Sequence, residues 1–225
     1  GPGFEKAYRL RESMAATQVP IRHGLDLVAA FKQDAIKLRY TDWDDLMGYC
    51  LLSASPVGRY LLDLHGESPA GYAASDALCN ALQVLNHLQD CQDDYRQLDR
   101  VYLPQDWLNV AGARVEDLDA PGTTPALRAV LDRCLDGCAD LLVLARTLPA
   151  QLKSRHLAME SAVIVQIALR LTELLRRCDP RAGRVKLSRA AFIGCGIGGV
   201  ARVLLAPRRG ESRPPAETSI ESHRR

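Results

Sequence analysis

The chain has 225 residues, 47% of them hydrophobic, with 29 basic against 27 acidic side chains and a formal net charge of +2. That length and apolar content can bury one substantial core, so a single domain is expected, and so small a net charge argues against a nucleic-acid-binding surface. Seven cysteines with no CxxC spacing argue against a disulfide framework or a zinc site and suit a reducing compartment.

In chain order, residues 4–17 carry apolar side chains at helical intervals. Pro20 marks a break, and Leu25, Val28, Ala29, Phe31 and Lys32 begin a second predicted helix running to about Arg39. Thr41-Asp42 followed by Asp44-Asp45 forms an N-cap region for a third helix through Tyr49 to Ser53, and this role accounts for the aspartates better than metal binding does. Pro56 and Gly58 interrupt or kink that helix, which resumes through Leu64. Residues 66–74 read as a loop, with Ser75 or Asp76 capping the next helix.

That next helix has two faces of opposite chemistry. Leu78, Leu82, Leu85 and Leu88 recur at three- and four-residue steps as an apolar stripe. Asn86, Asp90 and Asp94 fall at i, i+4 and i+8, roughly 6 Å of axial rise apart, with Asp93 close to the same line. Stacked oxygen ligands suit a hard divalent cation, Mg²⁺ in particular when a substrate phosphate completes the shell. A solvated acidic face on an ordinary helix is the other reading of the same three residues.

Residues 100–104 end this helix, and 110–124 form a connector rich in Gly, Pro and Asp. The helical period returns over 126–148 and 152–178, where Cys134 and Cys138 read as small core residues. After a turn at 180–184, residues 187–205 make a last helix. Its run is interrupted by Arg202 and falls short of the roughly 18 apolar residues of a membrane span; a buried terminal helix is the first reading, and a patch touching membrane is the second. Gly194, Gly196 and Gly199 satisfy GxGxxG without the strand that a dinucleotide site needs, so small-residue packing explains them better. Residues 207–225 are polar and expected to be disordered. No signal-peptide pattern opens the sequence, and no alternating strand pattern or hairpin signal is present.

Several spaced motifs resemble the squalene/phytoene synthase family in that family's order. Asn86-His87-Leu88-Gln89-Asp90-Cys91-Gln92-Asp93-Asp94-Tyr95-Arg96, continuing to Arg100-Val101-Tyr102-Leu103-Pro104, is similar to the family's second aspartate-rich motif. Tyr49-Cys50 through Ser55-Pro56-Val57-Gly58 resembles its tyrosine helix with a Val-Gly break. Phe31 through Arg39-Tyr40 resembles the preceding segment, and Gly183-Arg184-Val185-Lys186-Leu187 resembles a basic element near the C-terminal end. Ser-Pro-Val-Gly and Asn-His-Leu-Gln-Asp-Cys look most like the hydroxysqualene synthase branch of bacterial hopanoid biosynthesis.

The resemblance implies an all-α, single-domain helical bundle of isoprenoid-synthase type over residues 1–206. It implies an enzyme that uses Mg²⁺ to ionise a prenyl diphosphate, presqualene or farnesyl diphosphate. In the branch indicated, presqualene diphosphate and water give hydroxysqualene and diphosphate. Carried over residue by residue, Asn86, Asp90 and Asp94 would be metal ligands, and Tyr49 would act with Asp90 and Asp94 in catalysis. Arg39, Tyr40, Gln83, Asn86, Arg100, Tyr102 and Lys186 would contact substrate, the arginine forks matching phosphate geometry. From the residues alone, the three tyrosines fit buried core positions with one hydrogen bond as well as cation-stabilising ones. His87 adjoins Asn86 as a base for water but points about 100° away from it.

The expected setting is the cytoplasm, with peripheral contact to the inner membrane. Head-to-head condensation of two prenyl diphosphates, or a non-catalytic scaffold of the same fold, are the other activities that the resemblance admits. Two departures stand out. No Asp-x-x-x-Asp lies before Phe31, from which the expectation is a chain lacking its N-terminal helices. Gln89 stands where many relatives carry Arg, which removes a charge beside Asp90.

Overall fold

The computed structural model describes residues 2–183 and 185–206. Arg184 and the 207–225 tail, for which a basic element and disorder are expected, lie outside the described residues. The all-α expectation holds across the described residues, and one short strand pair is added to it. In order come α1 (Pro2–Thr17), α2 (Arg22–Asp34), β1 (Arg39–Tyr40), α3 (Trp43–Ser53), α4 (Ser55–Leu64), α5 (Tyr72–Leu98), β2 (Val101–Pro104), α6 (Gln105–Ala111), α7 (Pro125–Ala145), α8 (Arg155–Arg177) and α9 (Arg189–Leu205).

α5 is the axis of the bundle, packed against α7, α4, α8 and α3. Ala81, Val84, Leu85 and Leu88 are buried on α5, facing a core that includes Leu131, Leu135 and Leu142 of α7. Each buried Val or Leu side chain contributes about 1.5–3 kcal/mol by leaving water. Cys134 and Cys138 are buried and free, as small core residues should be.

Local chemistry explains most boundaries. The Asp42 carboxylate accepts from the Asp45 amide at 2.8 Å and caps α3. Thr124, Ser154 and Ser188 cap α7, α8 and α9 in the same way. The kink expected at Pro56 and Gly58 falls earlier, at Ala54. Pro56 occupies the first turn of α4, where its missing N–H costs nothing. Gly58 serves packing instead: a Cβ there would meet Ser75 Oγ at 2.4 Å and Cys79 Sγ at 2.7 Å, so α4 approaches α5 only because it is absent.

Several expectations need correction. α2 stops at Asp34 rather than Arg39, because the chain turns extended to pair with β2. α5 begins at Tyr72, through a 3-10 turn at Pro69–Gly71. Neither Ser75 nor Asp76 caps it: Ser75 is buried, and Asp76 accepts from Arg59 Nε at 2.9 and 3.1 Å. Residues 105–111, given no element from the sequence, form α6, and the connector over 110–124 holds a 3-10 turn at Val115–Asp119, both too short to display a period.

α9 needs correction as well. It is not a buried helix: Gly199 is buried, yet Phe192, Ile193, Ile197, Leu204 and Leu205 are exposed. It rests on α8, where Gly199 comes so close that an added Cβ would lie 2.7 Å from the Val163 backbone. The small-residue reading of the glycine motif therefore holds at Gly199, whereas Gly194, Gly196 and Gly198 face open space. No helix among the described residues is long and apolar enough to cross a membrane.

β1 and β2 are the pair that sequence patterning missed. They run parallel, with Arg39 opposite Val101 and Tyr40 opposite Pro104. Strands this short carry no alternation to detect. Their consequence is positional, since they set Tyr40 and Tyr102 beside α3 and α5.

Candidate active site

Three tyrosines from three elements converge at the middle of α5. Tyr40 of β1 lies 5.4 Å from Tyr49 of α3 and 5.5 Å from Tyr102 of β2, and Tyr49 lies 5.7 Å from Tyr102, between ring centroids. All three are buried. His87 of α5 stacks on Tyr102 with centroids 3.5 Å apart and planes 11° from parallel. Burial raises the pKa of each phenol. The cluster therefore presents neutral rings and hydroxyls at physiological pH.

His87 is 7% exposed, and its Nε2 has no hydrogen-bond partner. Burial pushes its pKa down to about 3. A base that weak accepts protons poorly at neutral pH. The divergence from Asn86 read off the helix is real, and it turns His87 inward to the tyrosines.

The outer face of α5 carries the residues expected as oxygen ligands. Asn86 is exposed, while Gln83, Asp90 and Asp94 are partly buried. Desolvation raises the Asp94 pKa to about 6, reinforced by the charges of Asp90 and Asp93 and opposed by Arg100. A carboxylate strained in this way gains from a nearby cation. Among the described residues no three His, Cys, Asp or Glu side chains converge as a preformed metal cluster. The set is two carboxylates and the Asn86 amide, a hard-oxygen arrangement that fits Mg²⁺ sharing its shell with phosphate oxygens.

The basic residues divide. Arg100 donates from Nη2 to the Asp34 carbonyl at 2.8 Å, while its buried Nε has no partner. It thereby satisfies an end carbonyl of α2, where a cation is favourable. Arg39 is committed elsewhere: its guanidinium donates to the Asp99 carboxylate at 2.5 Å and to the Asp99 carbonyl. Asp99 itself adopts φ 50°, closing α5. Lys186 is exposed. Its neighbour Val185 accepts a hydrogen bond from Gln89 Nε2, which ties the segment before α9 to α5 one residue from Asp90.

The structure thus brings Tyr40, Tyr49, Tyr102 and Arg100 together, and aligns Gln83, Asn86, Asp90 and Asp94 along α5. Two participants escaped sequence reasoning. Asp34 accepts the Tyr49 hydroxyl at 3.3 Å on Oδ2, but a polar residue ending an amphipathic helix gives no signal of such a partner. Gln89 reads in the sequence as a missing charge, whereas here it is a clamp.

A family description, squalene/phytoene synthase, matches residues 4–191. Hydroxysqualene synthase of Rhodopseudomonas palustris is 47% identical over 86% of the chain and 66% of its own length. That of Sinorhizobium fredii is 42% identical over 87% of the chain and 67% of its own length. The chain thus spans about two thirds of the length of these curated relatives. Among solved structures, squalene synthase HpnC from Alicyclobacillus acidocaldarius is similar with TM-score 0.69 and 32% identity, over 75% of this chain and 64% of that one. A dehydrosqualene synthase in complex with ligand shares the fold with TM-score 0.69 at 19% identity, over 82% of this chain and 66% of that one. On this match and these identities, the chain belongs to the squalene/phytoene synthase family.

Proposed function

We propose that the protein converts presqualene diphosphate and water to hydroxysqualene and diphosphate in a Mg²⁺-dependent reaction. The observation that carries this reading is one juxtaposition. A wall of neutral phenols, Tyr40, Tyr49 and Tyr102, stands on α5 next to an oxygen-ligand face and the guanidinium of Arg100. Likeness to proteins named hydroxysqualene synthase supports the choice of substrate and product.

Asn86, Asp90 and Asp94 would hold Mg²⁺, which when bound neutralises charge on departing diphosphate. Arg100, anchored through the Asp34 carbonyl, keeps further N–H donors for diphosphate oxygens. Gln83 lies one turn before Asn86, and Lys186 sits in the segment that Gln89 holds against α5; both would contact substrate. The tyrosine rings and hydroxyls would stabilise a passing carbocation without supplying a nucleophile. Burial of those rings keeps bulk water away, so alcohol forms from a single admitted water rather than by general solvolysis. The substrate is itself lipid-like, and the exposed Ile193, Ile197 and Leu204 of α9 support peripheral contact of a cytoplasmic enzyme with membrane.

The test is product analysis with presqualene diphosphate and Mg²⁺, without NADPH. Hydroxysqualene and equimolar diphosphate are expected. Turnover of farnesyl diphosphate alone would instead establish head-to-head condensation, and no diphosphate release from either substrate would establish a scaffold.

A further inference from the structure

We propose that Asp34 is a positioning residue that orients Tyr49 and Arg100 toward one another across the site, an inference that rests on the function proposed above. Asp34 is the last residue of α2, and it uses two different groups. Its carboxylate Oδ2 accepts the Tyr49 hydroxyl at 3.3 Å, and its backbone carbonyl accepts Arg100 Nη2 at 2.8 Å. Tyr49 comes from α3 and Arg100 from the segment joining α5 to β2, so one residue links three parts of the chain.

The direction of the first hydrogen bond has a chemical consequence. When the Tyr49 O–H donates to Asp34, its proton points at the carboxylate and its oxygen lone pairs are left for other neighbours. Rotated the other way, the hydroxyl would direct a positive hydrogen toward those neighbours and oppose a carbocation. Asp34 therefore sets the sign of the dipole that Tyr49 presents. The second hydrogen bond fixes the height of the Arg100 guanidinium at the α2 terminus, where the carbonyl has no helical partner of its own.

Asp34 is also under-satisfied. Its Oδ1 is buried without a partner, as are Tyr40 Oη, His87 Nε2 and Arg100 Nε. Buried polar atoms without a partner cost free energy unless a ligand or water meets them, and those of Asp34 and Arg100 lie on two residues joined by a hydrogen bond. They mark Asp34 as part of a site and not merely as a helix end.

Because the two interactions use different groups, substitution separates them. Asp34→Asn keeps the carbonyl that holds Arg100 and changes only the group facing Tyr49. In the full-length protein with presqualene diphosphate and Mg²⁺, Asp34→Asn should lower kcat about tenfold while KM stays within about twofold. The same substitution in a Tyr49→Phe background should cost less than about twofold more, because the hydroxyl it orients is gone. A full tenfold loss in both backgrounds, or an unchanged kcat in Asp34→Asn, overturns the proposal. If the wild-type protein releases no diphosphate, the functional reading fails instead. Thermal denaturation of the same four proteins then decides the contact alone: coupling between Asp34→Asn and Tyr49→Phe supports it, and strict additivity overturns it.

Discussion

His87 stacks on Tyr102 at 3.5 Å between centroids, and so it joins the aromatic wall rather than the row of Asn86, Asp90 and Asp94 that begins one residue away. Burial moves its pKa from 6.5 to about 3. Native His87 thus stays neutral over a range in which the unfolded chain takes up a proton. Stability is fully present above about pH 6.5 and is lost as pH falls toward the folded value. At pH 5 the loss from this one group is about 2 kcal/mol. His87→Phe preserves the stacked ring and removes the titration. Urea denaturation at pH 7.5 and pH 5 should show a difference for wild type that shrinks by about that amount in the variant. An equal pH dependence in both would mean that His87 titrates freely.

Asp90 and Asp94 should act together. Asp90→Asn or Asp94→Asn is expected to lower diphosphate release by about a hundredfold or more at saturating Mg²⁺, with helicity unchanged by circular dichroism. Added Mg²⁺ should raise the melting temperature of wild type and have little effect on the double variant. Activity within threefold of wild type would remove these residues from the metal site.

The Gln89 clamp makes a separate prediction. Gln89→Leu leaves the Val185 carbonyl without its side-chain donor. The cost is about 1–3 kcal/mol if water cannot replace the bond. Hydrogen exchange should accelerate over residues 185–188 while the amides of α7 are unaffected. Unchanged exchange in that segment would mean that Gln89 does not hold it.

Two glycines of α9 should respond in opposite directions. Gly199→Ala places a methyl 2.7 Å from Val163 backbone and should destabilise by about 1–3 kcal/mol. Gly196→Ala has open space around its Cβ and should stabilise by up to about 1 kcal/mol through helix propensity. Thermal denaturation of the pair tests the α8–α9 contact directly, and effects of the same sign would contradict it.

Sequence alone determined the helical class, the two-faced character of α5, the Asp42 cap and the order of motifs that resembles the family. These features are local or periodic: a helix repeats every 3.6 residues, and a cap acts within one turn. The alignment of Asn86, Asp90 and Asp94 needed nothing beyond that period. Tertiary structure decided which side chains would meet. The partnership of Asp34 with Tyr49 and Arg100, the hold of Gln89 on Val185, and the commitment of Arg39 to Asp99 span 15, 66, 96 and 60 residues of sequence. No local pattern encodes such separations, because they depend on how α2, α5 and the β1–β2 pair come to rest against one another. The exposure of α9 was hidden for the same reason. Its composition suits burial, yet whether a helix is covered depends on the number of neighbours it finds, and here α8 is its principal partner.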